Sequence, residues 1–143
     1  MQFPSIDKDQ RRILQRLRKS GPLSRSALPR LSRDLLALGL VEEMPDVDVQ
    51  RRGRPAIPLR LAPRGGYAVG ATAHKGLIEI ALVDFTGTTI AIHHEAPEPI
   101  DPRAFAHKIR RITHMLVDRH GLLGQRMLGI GIAVPGPALS LAG

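Results

Sequence analysis

The first forty residues alternate aliphatic and basic positions at the spacing of two helices. The first helix is predicted to begin at Asp7 or Asp9 and to end at Ser20-Gly21-Pro22, because Asp is a preferred N-cap and Gly-Pro stops a helix. Its apolar face consists of Ile13, Leu14 and Leu17. Basic residues occupy the other positions, so this helix is predicted to be amphipathic.

A second helix is predicted to end at Leu38-Gly39. Its apolar stripe consists of four leucines: Leu28, Leu31, Leu35 and Leu38. Pro29 constrains where the helix starts, because proline is tolerated only in the first turn, where its missing N–H has no helical partner. We therefore predict Ser26 as the N-cap.

Two short strands, 40–44 and 57–61, flank an Arg- and Gly-rich connection and predict a β-hairpin. Pro55 and Pro58 place its second strand at a sheet edge, because proline cannot donate to a strand ladder. Helices followed by a basic hairpin are the components of a winged helix-turn-helix. In that motif a helix enters the major groove of DNA and the hairpin, or wing, reaches beside it.

The second half of the chain predicts the element order βββαβ. Strands over 67–71, 77–84 and 89–94 are joined by short connections, as in an antiparallel meander. Asp101 is the predicted N-cap of the helix, whose apolar stripe is Phe105, Ile109, Ile112 and Leu116. The apolar run Leu128–Val134 predicts a central strand buried on both faces. The fold class is thus α+β, and this order opens an actin-like or ribonuclease H-like fold.

Charge is distributed unevenly between the two halves of the 143-residue chain, whose formal net charge is +8. Residues 1–64 carry 14 Lys and Arg against 7 Asp and Glu, whereas residues 65–143 carry 7 against 6. We therefore expect a basic domain over 1–64 that attracts a polyanion and a nearly neutral domain over 65–143. The alternative is a solvated helix face.

Composition excludes several other classes of function. The chain has no Cys, which removes disulfides, thiolate zinc sites and cysteine nucleophiles. Its six His residues have no metal-binding spacing, and Gly129-x-Gly131 lacks the third glycine of a dinucleotide loop. We expect no metal, no cofactor and no enzymatic activity. No stretch is long enough to span a membrane, and a cytoplasmic location is expected.

The tetrapeptide Arg52-Gly53-Arg54-Pro55, preceded by Arg51, matches the core of an AT-hook. Glycine lets the backbone lie deep in the minor groove, where the flanking guanidiniums meet the most negative potential of A/T-rich DNA. We predict that Arg51, Arg52, Gly53 and Arg54 contact DNA from the wing tip. The alternative is a solvated turn.

A second group of candidate DNA contacts lies on or just before the second helix: Ser24, Arg25, Ser26, Arg30 and Arg33. Arginine reads guanine with two hydrogen bonds, and serine at a helix start commonly contacts phosphate. In the alternative interpretation Ser26 only caps the helix and the arginines are solvated.

Together these motifs resemble the N-terminal part of ROK (repressor, open reading frame, kinase) proteins of the bacterial transcriptional-regulator branch. The matching residues are Ile13-Leu14, Ser20–Arg25, Leu35–Glu42, Gly53-Arg54-Pro55, Val69-Gly70, Ile80–Gly87 and Gly129–Pro137. The resemblance implies a winged helix followed by the start of an actin-like domain. It also implies a repressor of sugar-metabolism genes that binds double-stranded DNA as a homodimer. The sugar-effector site and the catalytic residues of the family would lie beyond this chain.

Two departures from the family pattern bear on function. The ATP-binding Asp-x-Gly-Gly-Thr-Lys motif of the kinase branch is replaced by Ala71-Thr72-Ala73-His74-Lys75-Gly76, which disfavours a sugar kinase. Between Gly21 and Val41 there is room for about one helix, where a helix-turn-helix needs two. We therefore predict a shortened winged helix-turn-helix. The alternative to a regulator is a non-catalytic remnant that binds nucleic acid without sequence preference or is inactive.

Overall fold

The fold is taken from a computed structural model, which describes residues 5–24, 29–44, 57–74, 77–96 and 102–133. The chain divides into two compact units. The first unit comprises Met1–Tyr67 together with two later segments, Asp84–Thr88 and Gln125–Leu128. The second unit comprises Ala68–Val83, Thr89–Gly124 and Gly129–Gly143. The division into domains 1–64 and 65–143 stays a prediction.

Helix α1 (Lys8–Ser20) begins at a capping box. Asp7 Oδ1 accepts a 2.7 Å hydrogen bond from the Gln10 N–H, and Gln10 Oε1 accepts one of 2.9 Å from the Asp7 N–H. Two of the donors that a helix start leaves without helical partners are thereby satisfied. Gly21, at φ +79°, ends the helix and donates its N–H to the Leu17 carbonyl. Of the two predicted starts, Asp7 is confirmed and Asp9 lies in the first turn, and the predicted stop at Ser20-Gly21-Pro22 is confirmed.

Helix α2 (Pro29–Ala37) buries Ser32 and Leu35. The predicted stripe is confirmed for Leu35, which is fully buried, and for Leu31 and Leu38, which pack partly buried against the same core. Leu28 and the predicted N-cap Ser26 lie outside the described residues.

The small sheet has the strand order β1-β3-β2, with β1 at Leu23–Ser24, β2 at Val41–Glu43 and β3 at Pro58–Leu61. The hairpin prediction is confirmed, because β2 and β3 pair antiparallel with Val41 opposite Leu61. The prediction that β3 lies at an edge is wrong, since β1 pairs with its other side. Pro58 is tolerated because it is the first residue of the strand.

The core of the first unit is aliphatic, with one aromatic side chain from far along the sequence. Its buried members are Ile13, Leu17, Leu35, Leu40, Val41, Leu61 and Phe85. The Phe85 N–H donates to the Pro63 carbonyl, and its carbonyl accepts from Arg18 Nη2 at 3.0 Å. Residues from both helices, from two strands of the small sheet and from the distant turn at 84–88 therefore share one core.

The second sheet has the order β6-β5-β4-β7. Its strands are β4 (Tyr67–His74), β5 (Leu77–Asp84), β6 (Thr89–Glu95) and β7 (Met127–Ala133). Strands β5 and β6 pair antiparallel, with Ile78 opposite Glu95 and Ala81 opposite Ile92. With helix α3 (Pro102–Arg119) between β6 and β7, the predicted order βββαβ is confirmed.

Ile78 and Glu95 are directly opposite in β5 and β6, so their side chains share one face of the sheet. Helix α3 lies against this face, because Glu95 contacts Arg111 and Lys108 of the helix. The apolar face of α3 is buried at Ile109, Ile112 and Leu116, which confirms the predicted stripe for these residues. Asp101, the predicted N-cap, lies outside the described residues. None of the described helices is long and apolar enough to cross a membrane.

Strand β7 corrects one expectation. It was predicted to be central and buried on both faces, but it is an edge strand of the described sheet, next to β4 alone. Ile130 and Ile132 are 45% and 55% exposed. A continuous apolar run is typical of a buried strand. Whether the strand is buried depends on which strands lie beside it, and the pattern of apolar residues does not reveal these neighbours.

Candidate nucleic-acid interface

The exposed surface of α1 is strongly basic. Its buried positions are Gln10, Ile13 and Leu17. Six basic residues lie at exposed positions: Lys8, Arg11, Arg12, Arg16, Arg18 and Lys19. Arg12 lies 3.9 Å from the Asp9 carboxylate with both side chains about two-thirds or more exposed. Such an exposed ion pair is weak, and Asp9 offsets one of the six positive charges of this helix.

Helix α2 presents Arg30 and Arg33 to solvent. Both are exposed, one turn apart, and opposite the buried Ser32 and Leu35. Side chains three positions apart on a helix are neighbours, so the two guanidiniums belong to one surface. Among the described residues neither guanidinium is paired with a carboxylate. The same face also carries Asp34, so its charge is less positive than that of α1.

The C-terminal end of α2 is closed by a Schellman motif. Gly39, at φ +66°, donates its N–H to the Leu36 carbonyl, and Leu40 donates to the Leu35 carbonyl at 3.0 Å. Glycine suits the left-handed conformation that this motif requires. The chain is thereby turned from α2 into β2, which fixes the last turn of the helix to the small sheet.

The structure places three of the nine predicted DNA contacts. Arg30 and Arg33 come together on α2, whereas Ser24 lies on β1, opposite Pro58. The other six predicted contacts lie outside the described residues: Arg25, Ser26, Arg51, Arg52, Gly53 and Arg54. At the base of the hairpin, Arg60 Nε donates to Glu42 Oε1 at 2.7 Å across β2 and β3.

One group of charged side chains in the second unit differs from Arg30 and Arg33, because its cations pair with a carboxylate. Glu95 on β6 accepts from Arg111 Nη2 at 3.0 and 3.1 Å and lies 3.0 Å from Lys108 Nζ. The hydrogen bond from Lys108 holds the pKa of the Glu95 carboxyl below its ordinary value against the opposing effect of partial burial, and His93 and Arg111 add to the lowering. These cations are directed at a carboxylate rather than outward.

A second ion pair of this unit joins Glu79 and His94, whose side chains meet at 2.8 Å. The two residues are direct cross-strand partners in β5 and β6. Local spacing does not indicate this pair, because the two residues are 15 positions apart and meet only through the register of β5 and β6. Glu79 and His94 therefore form a contact between two strands of the sheet.

Comparison with known proteins agrees with this architecture. No family model matches the chain. The uncharacterized protein y4fQ of Sinorhizobium fredii is 25% identical over 150 aligned positions, which cover 94% of this chain and 37% of that protein. A crystal structure of a ROK family transcriptional regulator, a homologue of the E. coli MLC protein, matches with a TM-score of 0.62 and 20% identity.

The structural match covers 90% of this chain and 35% of the regulator, so the chain spans about a third of the length of both relatives. At 20% identity the likeness concerns the fold. It confirms the resemblance that the sequence motifs predicted. The chain is therefore similar in fold to about a third of a ROK family transcriptional regulator.

Proposed function

We propose that the chain is a DNA-binding transcriptional regulator of the ROK type that binds double-stranded DNA through its first unit. The supporting observation is the exposed pair Arg30 and Arg33 on α2, in a unit whose other helix is also basic. The chain as a whole is similar in fold to part of a transcriptional regulator. An α-helix fits the major groove, where arginine binds guanine. Phosphate neutralisation by α1 supplies affinity that does not depend on sequence.

The small sheet supports assigning α2 as the groove-reading helix. Helix α2 leads through Gly39 directly into β2, and β2 and β3 form the base of the hairpin. In a winged helix the reading helix precedes the wing in this way. The predicted minor-groove contacts of Arg52 and Arg54 at the wing tip belong to the same proposal, as do a homodimer and repression of sugar-metabolism genes.

No catalytic role is proposed. The structurally similar protein is described as a transcriptional regulator, and the phosphate-binding motif of the kinase branch is replaced in this chain at 71–76. The cytoplasmic location expected from the sequence agrees with binding to bacterial DNA.

The proposal is tested by fluorescence anisotropy with a short labelled DNA duplex at low salt. Replacing Arg30→Ala and Arg33→Ala together should weaken binding about tenfold or more, because two groove or phosphate contacts are lost. The matched control replaces Arg110→Ala and Arg119→Ala, two exposed arginines of α3 that carry the same charge. We expect the control to retain the affinity to within about twofold. Equal losses in both variants would mean that net charge alone attracts the duplex, and absence of binding would refute the proposal.

A second candidate function is DNA binding without sequence preference. It is favoured by the single helix of nine residues that the described residues contain between α1 and β2. Selection from a random-sequence duplex pool separates the two. Enrichment of a recurrent sequence supports a regulator, whereas uniform retention of the pool supports the non-specific binder.

A further inference from the structure

The last turn of α2 is bonded to a residue 88 positions further along the chain. The two hydrogen bonds of the Schellman motif use the Leu35 and Leu36 carbonyls and not the C-cap carbonyl of Leu38. Arg126 Nη2 donates to the Leu38 carbonyl at 3.4 Å. Arg126 Nη1 donates to the Gly65 carbonyl at 3.1 Å. A cation at a helix C-terminus interacts favourably with the helix dipole as well as with the unpaired carbonyl.

Arg126 is itself held in place by its backbone. The Tyr67 N–H donates to the Arg126 carbonyl at 2.9 Å. Next to it, a Cβ on Gly66 would lie 2.9 Å from the same carbonyl oxygen and 2.8 Å from Leu128 Cδ2. Only glycine permits this approach without a shift of its neighbours. The guanidinium therefore projects from a fixed point toward the end of α2.

Gly65, whose carbonyl Arg126 also binds, is packed equally closely against its neighbours. A Cβ on Gly65 would lie 2.9 Å from Phe85 Cδ1 and 3.1 Å from the carbonyl oxygen of Gly39, which ends α2. Phe85 is buried in the core that Leu35 of α2 enters. The end of α2, the 63–65 turn and the Phe85 ring thus form one tight cluster, which Arg126 bridges.

We propose that Arg126 is a positioning residue for the groove-reading helix, a role that rests on the proposed function. A helix of nine residues is marginal in isolation, so its orientation depends on tertiary contacts. Arg126 fixes the last turn of α2 to Gly65. Arg30 and Arg33 are thereby held at a fixed angle to the small sheet. This orientation affects the preference among DNA sequences more than the attraction to phosphate.

The experiment compares Arg126→Ala, Arg126→Lys and the control Arg110→Ala, which removes an equal charge from the exposed surface of α3. The probes are a duplex enriched by the wild-type chain from a random pool and a mixed-sequence duplex of equal length. In Arg126→Ala the ratio of the two affinities should fall about threefold to tenfold, while the salt slope of binding stays unchanged because no phosphate contact is lost. Lysine should restore part of the ratio, because it keeps the charge but loses the two-pronged geometry.

Two results would overturn the positioning role. An unchanged affinity ratio in Arg126→Ala, even with a lowered melting temperature, would make the contact merely structural. A salt slope reduced by about one would mean that Arg126 contacts a phosphate itself.

If the wild-type chain enriches no sequence, the proposed regulator fails, but the bridge to α2 is still testable in the free protein. Hydrogen exchange at the Gly39 and Leu40 amides should then accelerate several-fold in Arg126→Ala and stay unchanged in Arg110→Ala. Equal exchange in the two variants would contradict the bridge.

Discussion

Two groups of charged side chains, one in each unit, are arranged in opposite ways. In the second unit Lys108 and Arg111 of α3 pair with Glu95 and tie the helix to β6, and His93 of the same strand also contacts Glu95. In the first unit Arg30 and Arg33 are exposed on the side of α2 opposite Leu35, which enters a core of aliphatic residues and Phe85. Because neither guanidinium is paired with a carboxylate among the described residues, this part of the positive surface is available to a polyanion.

The first unit is completed by segments from the second half of the sequence. The first unit takes Phe85 and Arg126 from segments that lie beyond its predicted boundary at 64 and 65. The sequence therefore reveals the cluster of basic residues near the N-terminus. It does not reveal Phe85 and Arg126, the distant residues that hold α2 in place.

The largest expected effect is that of Phe85→Ala. Removing this buried ring from the core of the first unit should lower the free energy of unfolding by about 3–5 kcal/mol. Phe105→Ala is the matched control, because Phe105 on α3 is only half-buried and its loss should cost less. Urea unfolding followed by circular dichroism gives both values. Equal losses would contradict the role of Phe85 in the core.

Gly65→Ala should come next. The added Cβ would meet the Phe85 ring at 2.9 Å and a backbone oxygen at 3.1 Å, so the expected loss of stability is about 1–3 kcal/mol. Gly70 on β4 has no atom within 4 Å of the corresponding position and provides the control. A Gly65→Ala protein that melts at the same temperature as Gly70→Ala would show that the cluster around Gly65 is loose.

Asp7→Ala removes the N-cap of α1. The expected loss is about 1 kcal/mol, because the Gln10 N–H loses its acceptor. Asp9→Ala, in the first turn of the same helix, removes an equal charge without removing the cap. Thermal unfolding by circular dichroism should show the larger decrease for Asp7→Ala, and the reverse order would contradict the capping box.

The smallest effect is expected from Glu95→Gln in the second unit, and it depends on pH. Because the hydrogen bond from Lys108 lowers the folded-state pKa of Glu95, ionised Glu95 stabilises the fold above its unfolded-state pKa. That stability is lost as the pH falls through the lowered folded-state pKa. Melting temperatures measured from neutral to acidic pH should therefore decrease more for the wild type than for Glu95→Gln. Parallel curves would contradict the contribution of this ion pair.

Local signals predicted much of the fold. Asp7 and Gly21 delimit α1 because caps and stops act within a few residues. The apolar stripe of α3 likewise gave its buried face. These features depend on short-range spacing, which the sequence displays directly.

What the sequence did not predict depends on neighbours distant along the chain. Pro55 and Pro58 indicated an edge position for β3. Strand β1, which pairs with the other side of β3, has only two residues, too few for alternation to show. The exposed edge position of β7 depends on which strands lie beside it. Of the candidate site, Arg30 and Arg33 followed from charge and helical spacing, whereas Arg126 had no local signal because it meets Leu38 only in the folded chain.

The most direct test of the central claim is a nuclear magnetic resonance titration of the 15.6 kDa chain with a short DNA duplex. The amide and guanidinium signals report which unit contacts the nucleic acid. We predict that signals of α1 and α2, including Arg30 and Arg33, shift progressively, while those of Lys108 and Arg111 in α3 stay in place. Shifts concentrated on α3, or no shifts at low salt, would contradict the account.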